Sequence, residues 1–111
     1  MFNHQRLKCY ELSLLLAKRL PELISTWPRG YSYLRDQIER ALSSILLNTA
    51  KGNGRTSLKE RAHFFSIARG SAAEVSSIID VGFAFKVVSE IDFNFFQSNL
   101  LSIVKMLYKL K

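Results

Sequence analysis

Few side chains in this sequence have the type and spacing that a reaction needs. His4 and His63 are its only histidines and Cys9 its only cysteine, and none stands at a metal-ligand spacing from another or from a carboxylate. No Glu-x-x-His pair occurs, which argues against a di-iron centre of the ferritin type. Cys9 has apolar neighbours that raise a thiol's pKa, so it reads as a small core or interface residue and not as a nucleophile. His63 reads as a surface or interface histidine. The corner Lys51-Gly52-Asn53-Gly54-Arg55 has the glycines and cations of a phosphate loop, but no strand precedes it and the GK[ST] ending is missing. A weaker possibility survives there. A helix that starts just after the corner offers free backbone N–H groups beside Arg55 and Lys59, enough to hold one phosphate of a nucleic acid. With no nucleophile–base pair and no metal set, the expectation is a protein that is not an enzyme and needs no cofactor or metal.

Charge supports a binding role. Sixteen Lys and Arg against nine Asp and Glu give +7, unevenly placed. Residues 29–69 hold eight basic and three acidic side chains, net +5, whereas residues 72–92 hold Lys86 against Glu74, Asp80, Glu90 and Asp92, net −3. A basic half suits a polyanion, or else simply a solvated surface. The candidate nucleic-acid contacts are Arg35, Lys51, Arg55, Lys59 and Arg61, around the corner and the helix ends that flank it. Tyr31 and Tyr33 lie near the opposite end, so recognition of the phosphate backbone is expected ahead of stacking on bases.

The elements that must position these residues are helices. At 111 residues, 48% of them apolar, the chain is one domain spanning 1–111. A single cysteine excludes an intrachain disulfide and fits a reducing cytoplasm. The first residues lack the apolar run of a signal peptide, and no stretch of about 18 apolar residues occurs, so no membrane span is expected.

Helix one is expected over about 5–25 with Leu7, Tyr10, Leu14 and Ala17 as its buried stripe, widened by Leu12, Leu15 and Leu16 beside it, and Pro21 should kink or end it. Trp27-Pro28-Arg29-Gly30 is a break. Helix two starts with Ser32 as N-cap, buries Leu34, Ile38, Ala41 and Ile45, and should stop at Gly52 in left-handed geometry. Beside that stripe runs a polar one, Gln37, Arg40, Ser44, Asn48 and Lys51, suited to a wet contact or to open water. Ser57-Leu58-Lys59-Glu60 has capping-box spacing and opens helix three, expected to reach about Val88.

Helix three carries two apolar stripes: Ala62, Phe65, Ala68, Ala72, Val75 and Ile79, and Phe64, Ile67, Ser71, Ile78, Val81 and Phe85. Two stripes exceed what one small bundle should bury, and surplus apolar surface marks an interaction face. The small residues around Gly70 and Ser71 point to close approach of another helix. Helix four follows a break near 89–92 with Phe93, Phe96, Leu100, Ile103, Leu107 and Leu110 inward. The fold class is all-α, an antiparallel up-down four-helix bundle.

One run is specific enough to suggest a family. Gln37-Ile38-x-Arg40-Ala41-x-x-Ser44-Ile45-x-x-Asn48-x-Ala50-x-Gly52-x-Gly54-Arg55, followed by Phe65-x-Ile67-Ala68-Arg69-Gly70-Ser71-x-x-Glu74, resembles the signature of bacterial four-helix-bundle proteins encoded in 23S ribosomal RNA intervening sequences. Trp27-Pro28 resembles the aromatic-Pro that precedes helix two there. Two positions depart from the pattern: Lys51 replaces the acid of an N-I-A-E-G motif, and Thr49 replaces its Ile.

The resemblance implies a left-handed bundle that assembles as a ring-like homopentamer. It is similar in fold to the accessory proteins of diversity-generating retroelements, which bind nucleic acid and a reverse transcriptase. The family supplies no catalytic residues. Gln37, Arg40, Ser44, Asn48, Gly52, Gly54, Gly70 and Ser71 are therefore assigned to the oligomer interface or a structural motif. The expected function is a cytoplasmic homo-oligomer that binds RNA or DNA, the alternative being a scaffold that binds a protein partner.

Overall fold

Leu34, Ile38, Ala41 and Ile45 are all buried, as one apolar stripe on a helix packed against its neighbours requires. That helix is α2, Ser32–Gly54, in a computed structural model that describes residues 1–110. Before it come a 3-10 turn at Asn3–Arg6, helix α1 at Lys8–Ser25 and a second 3-10 turn at Arg29–Tyr31. After it come α3, Leu58–Ala84, and α4, Glu90–Lys109, and there is no strand among the described residues. Each helix packs on the next and α4 closes on α1, giving an all-α up-down four-helix bundle. The longest dimension is 44 Å, close to the length of α3 at about 1.5 Å per residue.

The core takes Leu16, Leu20 and Leu23 from α1, Ile38 and Ile45 from α2, Phe65, Val75 and Ile79 from α3, and Phe96, Ile103 and Leu107 from α4. The buried stripe of α1 is not the expected one. Cys9, Ser13, Leu16, Leu20 and Leu23 face inward, whereas Leu7, Tyr10 and Ala17 are half-buried and Leu14 is exposed. Leucines surround this helix, so its spacing fits more than one register. Ser13 conceals the true one: its hydroxyl donates to the Cys9 carbonyl at 2.7 Å, which satisfies a polar group in the core. Nor does Pro21 end α1, which runs on to Ser25 with the proline on its exposed side.

Three helix ends also differ from expectation. Ser32 is the first residue of α2 and not its cap, because the 3-10 turn at Arg29–Tyr31 leads straight into the helix. Gly52 does not stop α2, which continues to Gly54, and no glycine has positive φ. Helix α3 stops at Ala84, four residues before Val88, and the left-handed residue that stops it is Lys86 at φ 65°. Beyond Lys86 the Val87 and Val88 N–H groups both donate to the Gly82 carbonyl, and Val88 folds back onto the bare face of Gly82. A left-handed conformation costs a side-chain-bearing residue about 1–2 kcal/mol that glycine does not lose. Lys86→Gly should therefore raise the urea midpoint, by about 1 kcal/mol of stability. An unchanged midpoint would show that Lys86 is unstrained.

Ser57 caps α3 as its spacing implies, its hydroxyl accepting from the Glu60 N–H at 3.1 Å. The second stripe of α3 is mostly absorbed by the bundle. Ile78 is buried and Phe64, Ser71 and Val81 are half-buried, leaving Ile67 and Phe85 exposed at opposite ends. The outward face of α3 is instead small, made of Ala62, Ser66, Gly70, Ala73 and Ser77.

Candidate nucleic-acid interface

Antiparallel topology brings the end of α2, the start of α3, the beginning of the chain and the end of α4 to one end of the bundle. Over residues 1–11, 51–61 and 105–110 that end holds eight basic side chains (Arg6, Lys8, Lys51, Arg55, Lys59, Arg61, Lys105 and Lys109) and two acidic ones (Glu11 and Glu60). Both acids are exposed and lie against cations already there: Glu11 is 3.8 Å from Lys8, and Glu60 is 4.0 Å from Arg55. Exposed pairs of this kind contribute little and leave the field of the end positive. Arg6, Lys8, Lys105 and Lys109 escaped the sequence reading. The only signal for them was the up-down topology itself, which returns distant segments to the same end.

Within this end the corner is ordered by Phe64. The Arg55 guanidinium lies 5.0 Å from the centre of its ring and the Lys51 ammonium 6.0 Å, so two cations contact one aromatic ring. Lys51, where the resemblance implied an acid, is thus a cation at the corner. Lys59 is exposed on the first turn of α3. Ser57 takes up one N–H of that turn, and the helix dipole adds to the positive field there.

Arg61 has a different task. Its Nη1 donates to the Asn53 and Arg55 carbonyls at 2.9 and 3.1 Å, and its guanidinium lies 5.5 Å from the Phe65 ring centre. It thereby ties α3 to the last carbonyls of α2.

Arg35 belongs to neither group, contrary to expectation. It lies near the start of α2, 20 residues before Arg55, about 30 Å away at the other end of the bundle. Its guanidinium donates to the carbonyls of Ile24, Trp27 and Pro28, at 3.2 Å for the first and 3.3 Å for the last. It therefore closes the α1–α2 connection much as Arg61 closes the α2–α3 corner. Sequence reasoning counted the charge but had no means of seeing the carbonyls that occupy it.

The polar stripe of α2 divides in two. Ser44 and Asn48 form the α2–α3 seam: the Ser44 and Ser71 hydroxyls are 2.7 Å apart, and Asn48 Nδ2 donates to the Ser44 carbonyl and hydroxyl at 2.9 and 3.0 Å. Gln37, Arg40 and Lys51 are exposed, and Arg40 borders a shallow groove of about 380 Å³ shared with Leu47 and Lys51. Thr49, the other departure, is buried with its hydroxyl donating to the Ile45 carbonyl at 2.6 Å.

The glycines divide as well. A Cβ on Gly52 would lie 2.6 Å from the Phe65 ring, so this is where two helices approach closely, whereas Gly54 and Gly70 have nothing within 4 Å of that position. The close contact assigned to Gly70 is thus made, within the chain, by Gly52 and by Ser44 against Ser71. Cys9 is buried, and burial pushes its thiol pKa up. His63 is exposed, its ring edge-on to Phe64 at 5.2 Å.

A protein-family profile described as 23S rRNA-intervening sequence protein matches residues 5–109. The chain belongs to that family. A comparison with curated proteins finds no match. The matched span takes in all four helices, from just before α1 to the last residue of α4, so the family is defined by the bundle as a whole. No helix among the described residues is long and apolar enough to cross a membrane.

Proposed function

We propose that this member of the 23S rRNA-intervening sequence protein family is a non-enzymatic homo-oligomer that binds RNA or DNA through the basic end of its bundle. The observation that carries the reading is the convergence of eight basic side chains on that end, with Lys51 and Arg55 both packed against the Phe64 ring. Like charges gathered at one end repel, and a bound phosphate relieves the repulsion. Contacts with the backbone phosphates are the main ones, because cations outnumber acids eight to two at that end.

Assembly is part of the reading. Leu47 on α2, Ile67 on α3, and Leu101 and Tyr108 on α4 are exposed on the flanks, apolar surface of the kind that marks an interaction face. The pentamer that the family resemblance implies would use the exposed side of α2 and α3, including Gln37 and Arg40. A ring formed through the flanks sets the basic ends along one rim, where a single polyanion meets several at once. Repetition of this kind raises affinity by about 10² or more over one copy. A reducing cytoplasm suits a chain with a single buried cysteine.

Two measurements test the proposal. Light scattering at micromolar concentration should give a multiple of 12.7 kDa, and fluorescence anisotropy at low salt should detect labelled RNA or duplex DNA, with affinity falling steeply as salt rises. A mass of one chain refutes the oligomer, and absence of binding to both nucleic acids refutes the interface.

A further inference from the structure

Arg69, half-buried near the middle of α3, makes no hydrogen bond or ion pair among the described residues. Its guanidinium instead lies 4.1 Å from the centre of the Tyr108 ring on α4, nearer than a group at the ring's edge could come, so it covers one face. Tyr108 is nevertheless 67% exposed, which leaves the other face and the edge of the ring to solvent. A guanidinium whose donors are unused, beside an aromatic ring with a free face, can take an anion and a flat ring together.

The surroundings select a polyanion. Residues 61–73 on α3 and 93–110 on α4 hold four cations, Arg61, Arg69, Lys105 and Lys109, and no Asp or Glu. Lys105 stands one turn before Tyr108 and Lys109 directly after it, both exposed. Arg69 lies about 15 Å along α3 from Lys59, so a strand held at the basic end can reach it. One turn further along each helix the α3–α4 groove opens into a cavity of about 350 Å³, lined on this side by Ala72, Ala73, Leu101 and Val104. Its far end is occupied by the hydrogen bonds between Ser76 and Gln97. The floor is small and the walls are apolar, as a flat base beside Tyr108 requires.

We propose that Arg69 and Tyr108 form a nucleotide subsite, in which an unpaired base stacks on the free face of Tyr108 while the flanking phosphates meet Arg69 and Lys105. The proposal rests on nucleic-acid binding at the basic end and specifies the form that binds. That form is a single strand, because a duplex keeps its bases stacked on one another and offers none to the ring. A second copy of the chain, itself at +7, meets these four cations less favourably than a nucleic acid does.

The test compares, on the full chain, a fluorescent single-stranded oligonucleotide with a strand of the same length in which abasic sites replace the bases. Charge is then equal and only stacking differs. The base-bearing strand should bind about tenfold tighter or more. Tyr108→Ser should abolish that difference and leave the salt dependence unchanged, whereas Tyr108→Phe should keep it. Arg69→Gln should weaken both strands and flatten the slope of log affinity against log salt by about 1. Equal binding of the two strands to the parent overturns the subsite while phosphate binding at the basic end stands; binding of neither strand overturns both. A preference that survives Tyr108→Ser also overturns the subsite, and a fall in that variant's oligomeric mass overturns it in favour of contact between copies.

Discussion

Gly52→Ala should lower the melting temperature of the bundle, while Gly70→Ala should raise it. In a helix interior the substitution by itself is favourable by about 1 kcal/mol, since alanine loses less backbone freedom on folding. Gly70 is exposed with open space where the methyl group would go, so the gain is realised there. At Gly52 the new Cβ would sit 2.6 and 2.8 Å from two Phe65 ring carbons and 3.2 Å from Phe64 Cβ. The Phe65 ring cannot withdraw, because it is 1% exposed in the core and lies beneath the Arg61 guanidinium. Overpacking of that kind costs about 1–3 kcal/mol, which outweighs the helix gain. For a domain of about 100 residues each 1 kcal/mol moves the melting point by about 4–8 °C, so the opposite signs should be plain in thermal unfolding. A stabilised Gly52→Ala would mean that α2 and α3 are not in close contact at the corner.

That pair of glycines also marks where sequence ceased to be informative. Glycine serves two purposes, to allow positive φ and to remove a Cβ from a close contact, and a one-dimensional reading cannot tell which applies. The GNG corner looked like the first and Gly52 is the second; the left-handed residue lies 34 positions on, at Lys86. Helices α2 and α3 were legible because one stripe from Leu34 to Ile45 and one cap at Ser57 admit a single register. Helix α1 was not, because leucines surround it and the buried Ser13 masks the inward face.

The site was legible in its charges and not in their partners. Lys51, Arg55 and Lys59 stand where spacing from the corner put them, but Arg35 and Arg61 are held by carbonyls. Arg35 reaches backbone 7 to 11 residues away, in segments whose positions depend on the whole fold.

Those partners separate binding from stability. Removing Lys51, Arg55 and Lys59 together, each to alanine, should weaken RNA binding on the order of a hundredfold near 0.1 M salt and flatten the slope of log affinity against log salt by about 2–3. Stability should fall by no more than about 1–2 kcal/mol, since what is lost is two exposed cation–π contacts with Phe64 and one exposed ion pair. Loss of Arg55 also frees the Glu60 carboxylate now 4.0 Å from it, which adds repulsion toward a phosphate. Arg35→Ala should do the reverse. It takes the donor from the carbonyls of Ile24, Trp27 and Pro28 and so costs about 1–3 kcal/mol, but it lies some 30 Å from the basic end and should leave affinity and salt slope as they were. Arg61→Ala combines the two effects, since one guanidinium both holds the corner and adds to its field. If Arg35→Ala weakened binding as much as the triple substitution, with the bundle still folded, the nucleic acid would have to run along the flank of α2 and not across its end.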